Sequence, residues 1–354
     1  MNLILEDGTR IHGESFGADT PTSGEVVFNT GMVGYVESLT DPSYEGQILV
    51  LTYPLVGNYG VPNKKYFESS RIHVKGLVIS EYSETYSHSS ALHSLSEWLK
   101  KENIPAITGV DTRALTKKLR ERGTMLGALT SKNSAGKLYD PDTENQVALV
   151  SPQKKSITGS GDRTVVLVDC GAKENIARMI QRPGIKVVRV PWDYDFTNEE
   201  YDGVLVSNGP GDPTFCTSTI SHLQKAFTKK KPILGICLGI QLMALASGAK
   251  TYKLKYGHRS HNQPCVDVVG GTSLNRGMRC YITSQNHSFA VSEKSLPNDW
   301  KVWMKNANDG TVEGIMHKTL PFRAVQFHPE ASPGPTDTEW IIDEFIEAVK
   351  NGKK

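Results

Sequence analysis

Cys237 lies in the segment KPILGICLGIQLMALASGAK, with a glycine two residues away on each side, Gly235 and Gly239. An apolar strand precedes it and a helix-forming run follows, which Gly248 can close. Small residues around such a position allow a sharp strand-to-helix turn that exposes one side chain and aims the first helical amides at it. Those amides favour a thiolate over a thiol, so the pattern suits a cysteine nucleophile. A buried, inert thiol is the commoner fate of cysteine. A second feature, FRAVQFHPE, argues against it here. His328 and Glu330 are two apart, so on an extended segment they project from one face, with Pro329 stiffening the turn. A carboxylate that orients an imidazole, which in turn moves a proton to and from sulfur, is the arrangement of nucleophilic acyl chemistry.

The elements that must position these groups follow from the pattern. From Arg163 the chain alternates strand and helix: TVVLVDC, KENIARMIQR, IKVVRVPW, VLVSNGPGD, a helix from about Thr219, then PILGICLG. Buried β-branched strands alternating with helices predict an α/β domain with a mainly parallel central sheet. Ligands in such sheets sit at the carboxyl ends of strands, where NGPGD and GICLG both fall. Residues 1–150 read instead as α+β, with short strands (LILEDG, EVVFNT, QILVLTYP, HVKGLVIS) and helices near 90–101 and 112–122. Asp111 or Thr112 caps the second helix and Gly123 ends it. The polar stretch 141–163 carries the junction, giving domains 1–150 and 163–354 with a linker over 151–162.

Composition excludes other classes. The 354 residues suit about two domains. Hydrophobic content of 38% and charged content of 22% are those of a soluble globular protein, and VVLV at 165–168 is far short of a membrane span. A net charge of +2 with interspersed signs offers no nucleic-acid stripe. The N-terminus lacks secretory or transit features, which predicts a cytoplasmic protein. Five cysteines without CxxC spacing fit neither a disulfide framework nor a zinc knuckle. Cys170, Cys216, Cys265 and Cys280 lack the flanking glycines and are expected to be core or surface thiols. His88 and His93 lack metal-site company, and no metal is expected. His258 and His261 either line a pocket or lie in a loop. NGPGD lacks the Lys-Ser/Thr of a phosphate loop.

NGPGDP (208–213), GICLGIQ (235–241) and QFHPE (326–330) resemble the class I (triad) glutamine amidotransferases. The resemblance covers nearly the whole chain. VFNTGMVGYVESLTDPSYEGQILVLTYPLVGNYG, GVDTRALTKKLRERG, GAKTYKLKYGHRSHNQP and TSQNHSFAV are similar to the small subunit or glutaminase region of carbamoyl phosphate synthetase. FESS, VPWDYDF and NANDG bring it nearer the eukaryotic fused pyrimidine-pathway forms than free bacterial subunits. The resemblance implies that Cys237 is the nucleophile, His328 the general base and acid, and Glu330 its orienting group. It further implies glutamine contacts at Ser43, Gln241, Asn286, Ser288 and Phe289. Gly209 and Gly211 would form a substrate strip, and a strip N–H together with that of Leu238 would hold the oxyanion. This chain would need no cofactor; ATP, bicarbonate and Mg would belong to a partner, the synthetase large subunit or a fused synthetase domain. The pathway, pyrimidine or arginine, stays open, as does whether EAVKNGKK ends the protein or begins a linker.

Two positions depart from the family pattern. Ile240 stands where His is usual; one helical turn past Cys237, it would dry the thiolate's surroundings, so Ile240→His would speed thioester formation. Ser288 stands where Gly is usual, which would be costly if that backbone needed positive φ. Two other readings compete. The glutaminase of an anthranilate- or guanylate-forming enzyme would lack the first 150 residues, and a catalytically dead regulatory module would lack Cys237. Because Ser43 precedes the nucleophile by so many residues, the resemblance places glutamine between the two domains. Glutaminase kinetics on a 163–354 fragment should then show a severely raised KM; an unchanged KM would remove the first domain from substrate binding.

Overall fold

A computed structural model describes residues 1–270 and 279–352. The lysines at the end of the EAVKNGKK tail lie outside the described residues. The chain forms two compact units, Met1–Glu144 and Asn145–Lys354.

The first unit is built on an eight-stranded mixed sheet. Thr22–Asn29, Gln47–Leu51, Gly76–Val78 and Ala106–Thr108 run parallel in its middle, and the flanking pairs are antiparallel. Its α+β character matches the sequence. Helix Leu95–Lys101 starts at Ser94, whose side chain forms a reciprocal capping box with Glu97. Helix Thr112–Arg122 starts at Asp111, whose carboxylate accepts from the Ala114 N–H, and stops at Gly123, with φ 106. The segment carrying Ser43 is held tightly. Asp41 accepts from the Ser43 N–H at 2.9 Å on the short 3₁₀ turn Pro42–Tyr44. Next to it, the buried Glu45 meets Arg71, His73 and Lys75, each at 2.9 Å. Burial opposes the Glu45 charge, but His73 and Lys75 overcome it and lower its pKa to about 2.

The second unit contains a ten-stranded sheet. The expected parallel strands are its centre: Ile185–Pro191, Arg163–Asp169, Gly203–Val206, Ile233–Ile236 and Phe322–Val325, in that spatial order. Both faces of this centre are covered, which is why its strands read as unbroken apolar runs. Val166, Val168, Val204 and Val206 pack on one side with helices Thr217–Thr228 and Leu238–Ser247. Val165, Leu167, Leu205 and Leu234 pack on the other with helices Glu174–Ile180 and Trp340–Asn351. Beyond Phe322–Val325 the sheet continues through four antiparallel strands, Val312–His317, Trp300–Asn306, Thr251–Asp267 and Cys280–Val291.

The boundary differs from the sequence expectation. It falls at Glu144/Asn145, before position 150. Val147 is 1% exposed within the second unit's core. Residues 151–162 are not a free linker either. Ser156–Thr158 is an antiparallel edge strand on Ile185–Pro191, and Ser151 donates to the Asp169 carbonyl at 2.6 Å. Polar composition hid this strand, because an edge strand buries little. A fragment beginning at Asn145 should therefore be more stable than one beginning at Arg163. Loss of the Val147 side chain alone is worth about 1.5–3 kcal/mol. Urea midpoints of the two fragments test this, and equal midpoints would mean that 145–162 contributes nothing to the unit.

Candidate active site

Cys237 sits between strand Ile233–Ile236 and helix Leu238–Ser247 with φ 54 and ψ −100, a strained conformation for a residue with a Cβ. The two neighbouring glycines are required by close packing. A Cβ on Gly239 would lie 2.3 Å from the Val206 carbonyl oxygen, and one on Gly235 2.7 Å from the Gly239 carbonyl. The Cys237 N–H is held by the Val325 carbonyl at 2.8 Å, and its sulfur lies 3.6 Å from the Asn286 carbonyl. Gln326 donates to the Cys237 carbonyl at 3.3 Å and approaches the sulfur at 3.8 Å. As the first helical residue, Leu238 presents one of the amides that an α-helix leaves without an internal partner.

His328 follows the adjacent parallel strand, Phe322–Val325, and its own N–H binds the Ser284 carbonyl at 2.9 Å. Its Nδ1 lies 2.6 Å from Glu330 Oε1. Nε2 is buried without a hydrogen-bond partner, on a ring whose charge the Cys237 sulfur stabilises. Burial works against the imidazolium, but Glu330 and then Cys237 outweigh it and raise the His328 pKa to about 10. Glu330 is fully buried, and burial alone would raise its pKa. Lys173 and His328 reverse this and lower it to about 2. Lys173 Nζ stands 3.0 Å from the same Oε1 and also donates to the Ala331 carbonyl. A strained, buried sulfur beside an oriented imidazole can add to a carbonyl and return a proton to a leaving group.

Residues 166–348, more than half the chain, match the family "Glutamine amidotransferase class-I". The chain belongs to the class I glutamine amidotransferases. Residues 3–129 of this amidotransferase match "Carbamoyl-phosphate synthase small chain, CPSase domain". Over its whole length it is 47% identical to the multifunctional protein URA2 of Saccharomyces cerevisiae, and over 99% of it 50% identical to the multifunctional protein CAD of Squalus acanthias. Over 99% it is also 46% identical to "Carbamoyl-phosphate synthase [ammonia], mitochondrial" of Aquarana catesbeiana. It spans 18%, 16% and 24% of these relatives, less than a quarter of each.

Most of the residues singled out in the sequence converge in the amidotransferase's second unit. Gln241 donates to the Phe289 carbonyl at 2.9 Å and to Gln326 Oε1 at 3.3 Å. Gly209 is pressed against the Cys170 carbonyl and Leu238, where a Cβ would come within 2.2 and 2.8 Å. Gly211 has φ 79, against Gln146. Asn286, Ser288 and Phe289 lie on strand Cys280–Val291. Ser288 has no positive φ, so replacing glycine there carries no backbone cost, and its hydroxyl accepts from Arg259. Ser43 belongs to the first unit. The expectation for Ile240 is corrected. Its side chain joins the apolar cluster of Val206 and Leu242, whereas Cys237 belongs to the cluster on the other face of the sheet. Ile240 therefore fills core rather than drying the sulfur.

Lys173 and Gln326 were missed as site residues. Lysine opening a helix in GAKEN reads as solvent-facing, and only its 2% exposure reveals its role. Gln326 sat in the quoted QFHPE but carries no reactive group. Of the two undecided histidines, His261 has its pKa lowered to about 4 by burial and by Lys173 and His328, which places it near those two residues. His258 joins His287 and Glu313 in a cluster whose ligand atoms lie within 4.8 Å of one another. Metal ligation needs a neutral imidazole lone pair. His258 is instead held by Asp309 at 2.9 Å and Glu313 at 3.4 Å; burial disfavours its charge, but these carboxylates raise its pKa. His88 and His93 are exposed, as expected of solvated residues.

The Glu330–His328 pair has a pH signature. Glu330, with its pKa lowered from 4.5 to about 2, adds stability above the ordinary carboxylate value that is lost as pH falls towards 2. His328, raised from 6.5 to about 10, adds stability below 6.5 that is lost as pH rises towards 10. Glu330→Gln should flatten both limbs in denaturation measured against pH, lower the His328 pKa read by NMR, and destabilise the fold by roughly 3–5 kcal/mol because Lys173 loses its buried counter-charge. A His328 pKa unmoved by Glu330→Gln would dissolve the pair.

Proposed function

We propose that this chain is the glutamine-hydrolysing component of a carbamoyl phosphate synthetase, releasing ammonia to a synthetase that is its large subunit or a fused domain. The observation that carries the reading is the oriented Cys237–His328–Glu330 constellation in a chain whose first part matches the synthetase small chain. Identity to relatives does not carry it, since those at 45–50% include proteins named both "multifunctional" and "[ammonia]". The distinction lies in whether a nucleophile is present.

The Cys237 thiolate adds to the side-chain carboxamide carbon of L-glutamine. The oxyanion takes hydrogen bonds from the Leu238 N–H and a strip amide at Gly209–Gly211. His328, as imidazolium, donates its Nε2 proton to the nitrogen as the C–N bond breaks, giving ammonia and a glutamyl thioester. Water then attacks the thioester while Nε2 takes its proton, the C–S bond breaks, and glutamate leaves. Ser43, Gln241, Asn286, Ser288 and Phe289 would hold the substrate. No cofactor is assigned to this chain; ATP, bicarbonate and Mg would be bound by the partner.

Likeness to the fused forms favours pyrimidine over arginine synthesis. A reducing compartment, which we take to be the cytoplasm, suits the five unpaired cysteines. Among the described residues no helix is long and apolar enough to cross a membrane, and the charge balance gives no reason to invoke nucleic acid.

Cys237→Ala, mixed with the synthetase, should lose glutamine-driven carbamoyl phosphate formation by many orders of magnitude, on the ~10⁶ scale of nucleophile loss. Ammonium-driven formation should persist. Glutamine-driven synthesis near the wild-type rate would mean that Cys237 is not the nucleophile.

A further inference from the structure

Lys173 has no place in the Cys–His–Glu scheme, yet it is among the most deeply buried charges of the second unit, 2% exposed. Burying an ammonium is costly unless it is paired and hydrogen-bonded. Its partners include several elements of the candidate site. Nζ stands 3.0 Å from Glu330 Oε1 and donates to the carbonyl of Ala331 in the turn after Glu330. Its backbone N–H donates to Asn208 Oδ1 at 3.0 Å, at the head of the glycine strip. Two residues on, Asn175 donates to the Glu330 carbonyl. One residue thus ties the carboxyl end of strand Arg163–Asp169 to the His328–Glu330 turn and to the strip.

We propose that Lys173 is a positioning residue for glutamine hydrolysis: it holds Glu330 as a carboxylate whose Oε1 receives the His328 Nδ1–H, leaving Nε2 for the sulfur and the leaving nitrogen. The inference rests on the reading of the site as a glutaminase and adds a fourth member to it. The geometry is restrictive, since Oε1 takes both contacts, from Lys173 at 3.0 Å and from His328 at 2.6 Å. If that oxygen were protonated it would compete with the Nδ1–H, and the imidazole would lose its orientation. Among the described residues, the charged and titratable groups facing Lys173 include Glu330 and His328 on the turn and His261 on strand Thr251–Asp267. Lys173 favours ionised Glu330 and disfavours charge on His261, so it also keeps a second cation from forming beside the triad.

The test compares Lys173→Met, Glu330→Gln and the double variant in the full chain, using glutaminase kcat, KM and the pH profile of kcat. Lys173→Met should lower kcat by about 10- to 100-fold, the scale on which outer-shell partners act, with KM little changed. Without the ammonium Glu330 protonates more readily, so the acid limb of the profile should move to higher pH. In the Glu330→Gln background, Lys173→Met should cost no further activity, and it should restore stability by removing a lone buried charge. The double variant keeps the test decisive if Lys173→Met alone does not fold. An acid limb that stays in place, or a loss as large in the Glu330→Gln background as in the wild-type chain, would overturn the inference. A Cys237→Ala chain that still hydrolyses glutamine would instead overturn the glutaminase reading itself.

Discussion

The second unit is organised around a carboxylate with no exposure, Glu330, compensated by two cations at one oxygen. A lone ionised carboxylate in such a place would be strongly unfavourable, and breaking a buried pair leaves an uncompensated charge. Glu330 can stay ionised only if Lys173 and His328 arrive from their own segments at the correct distance. Those segments follow strands Arg163–Asp169 and Phe322–Val325, which are separated in the sheet by Gly203–Val206 and Ile233–Ile236. The charge requirement thus spans the strands that lead into Gly209–Gly211 and Cys237, and Lys173, Cys237 and His328 all follow the carboxyl ends of parallel strands.

The turn at Cys237 is the complementary constraint, set by contact rather than charge. Helix Leu238–Ser247 passes so near strand Gly203–Val206 that Gly239 has no room for a Cβ against the Val206 carbonyl. At this turn Cys237 takes positive φ, and the first helical amides are left without an internal partner. A strained residue persists only where the surroundings over-determine it. Here the N–H bond to Val325 and the Gln326 bond to the carbonyl fix both sides of the peptide.

What was legible in the sequence follows from how local each signal is. Cys237 between glycines and His328 two residues before Glu330 are short-range patterns, and the structure shows a strand-to-helix turn at the first and a side-chain contact at the second. The caps at Ser94, Asp111 and Gly123 are equally local. Lys173 was illegible because the same GAKEN sequence would serve a solvated helix start; only tertiary burial makes it an ion-pair partner. Ile240 was misjudged because helical spacing gives proximity along the helix axis but not which face of the sheet a side chain enters. The strands Thr251–Asp267 and Cys280–Val291 were missed as sheet because their burial is irregular and their polar residues pair within the sheet rather than alternate towards water.

Those two strands set a wall of polar groups beside the Cys237 sulfur. Along Cys280–Val291 the carbonyls of Ser284, Asn286 and Phe289 turn towards His328, Cys237 and Gln241 respectively. Behind them His287 is fixed by the Phe289 carbonyl at 2.8 Å and Gln285 at 3.1 Å, and burial, then the neighbouring His258, push its pKa well down. Burial disfavours charge on His258, but Glu313 and Asp309 outweigh it and raise its pKa. Two imidazoles with ring centres 5.0 Å apart are therefore pushed in opposite directions, His287 towards the neutral form and His258 towards the charged one. Charge on His287 would lie on the strand whose Asn286 carbonyl meets the Cys237 sulfur. Favouring charge on His258 instead keeps it against Asp309 and Glu313 and off that strand.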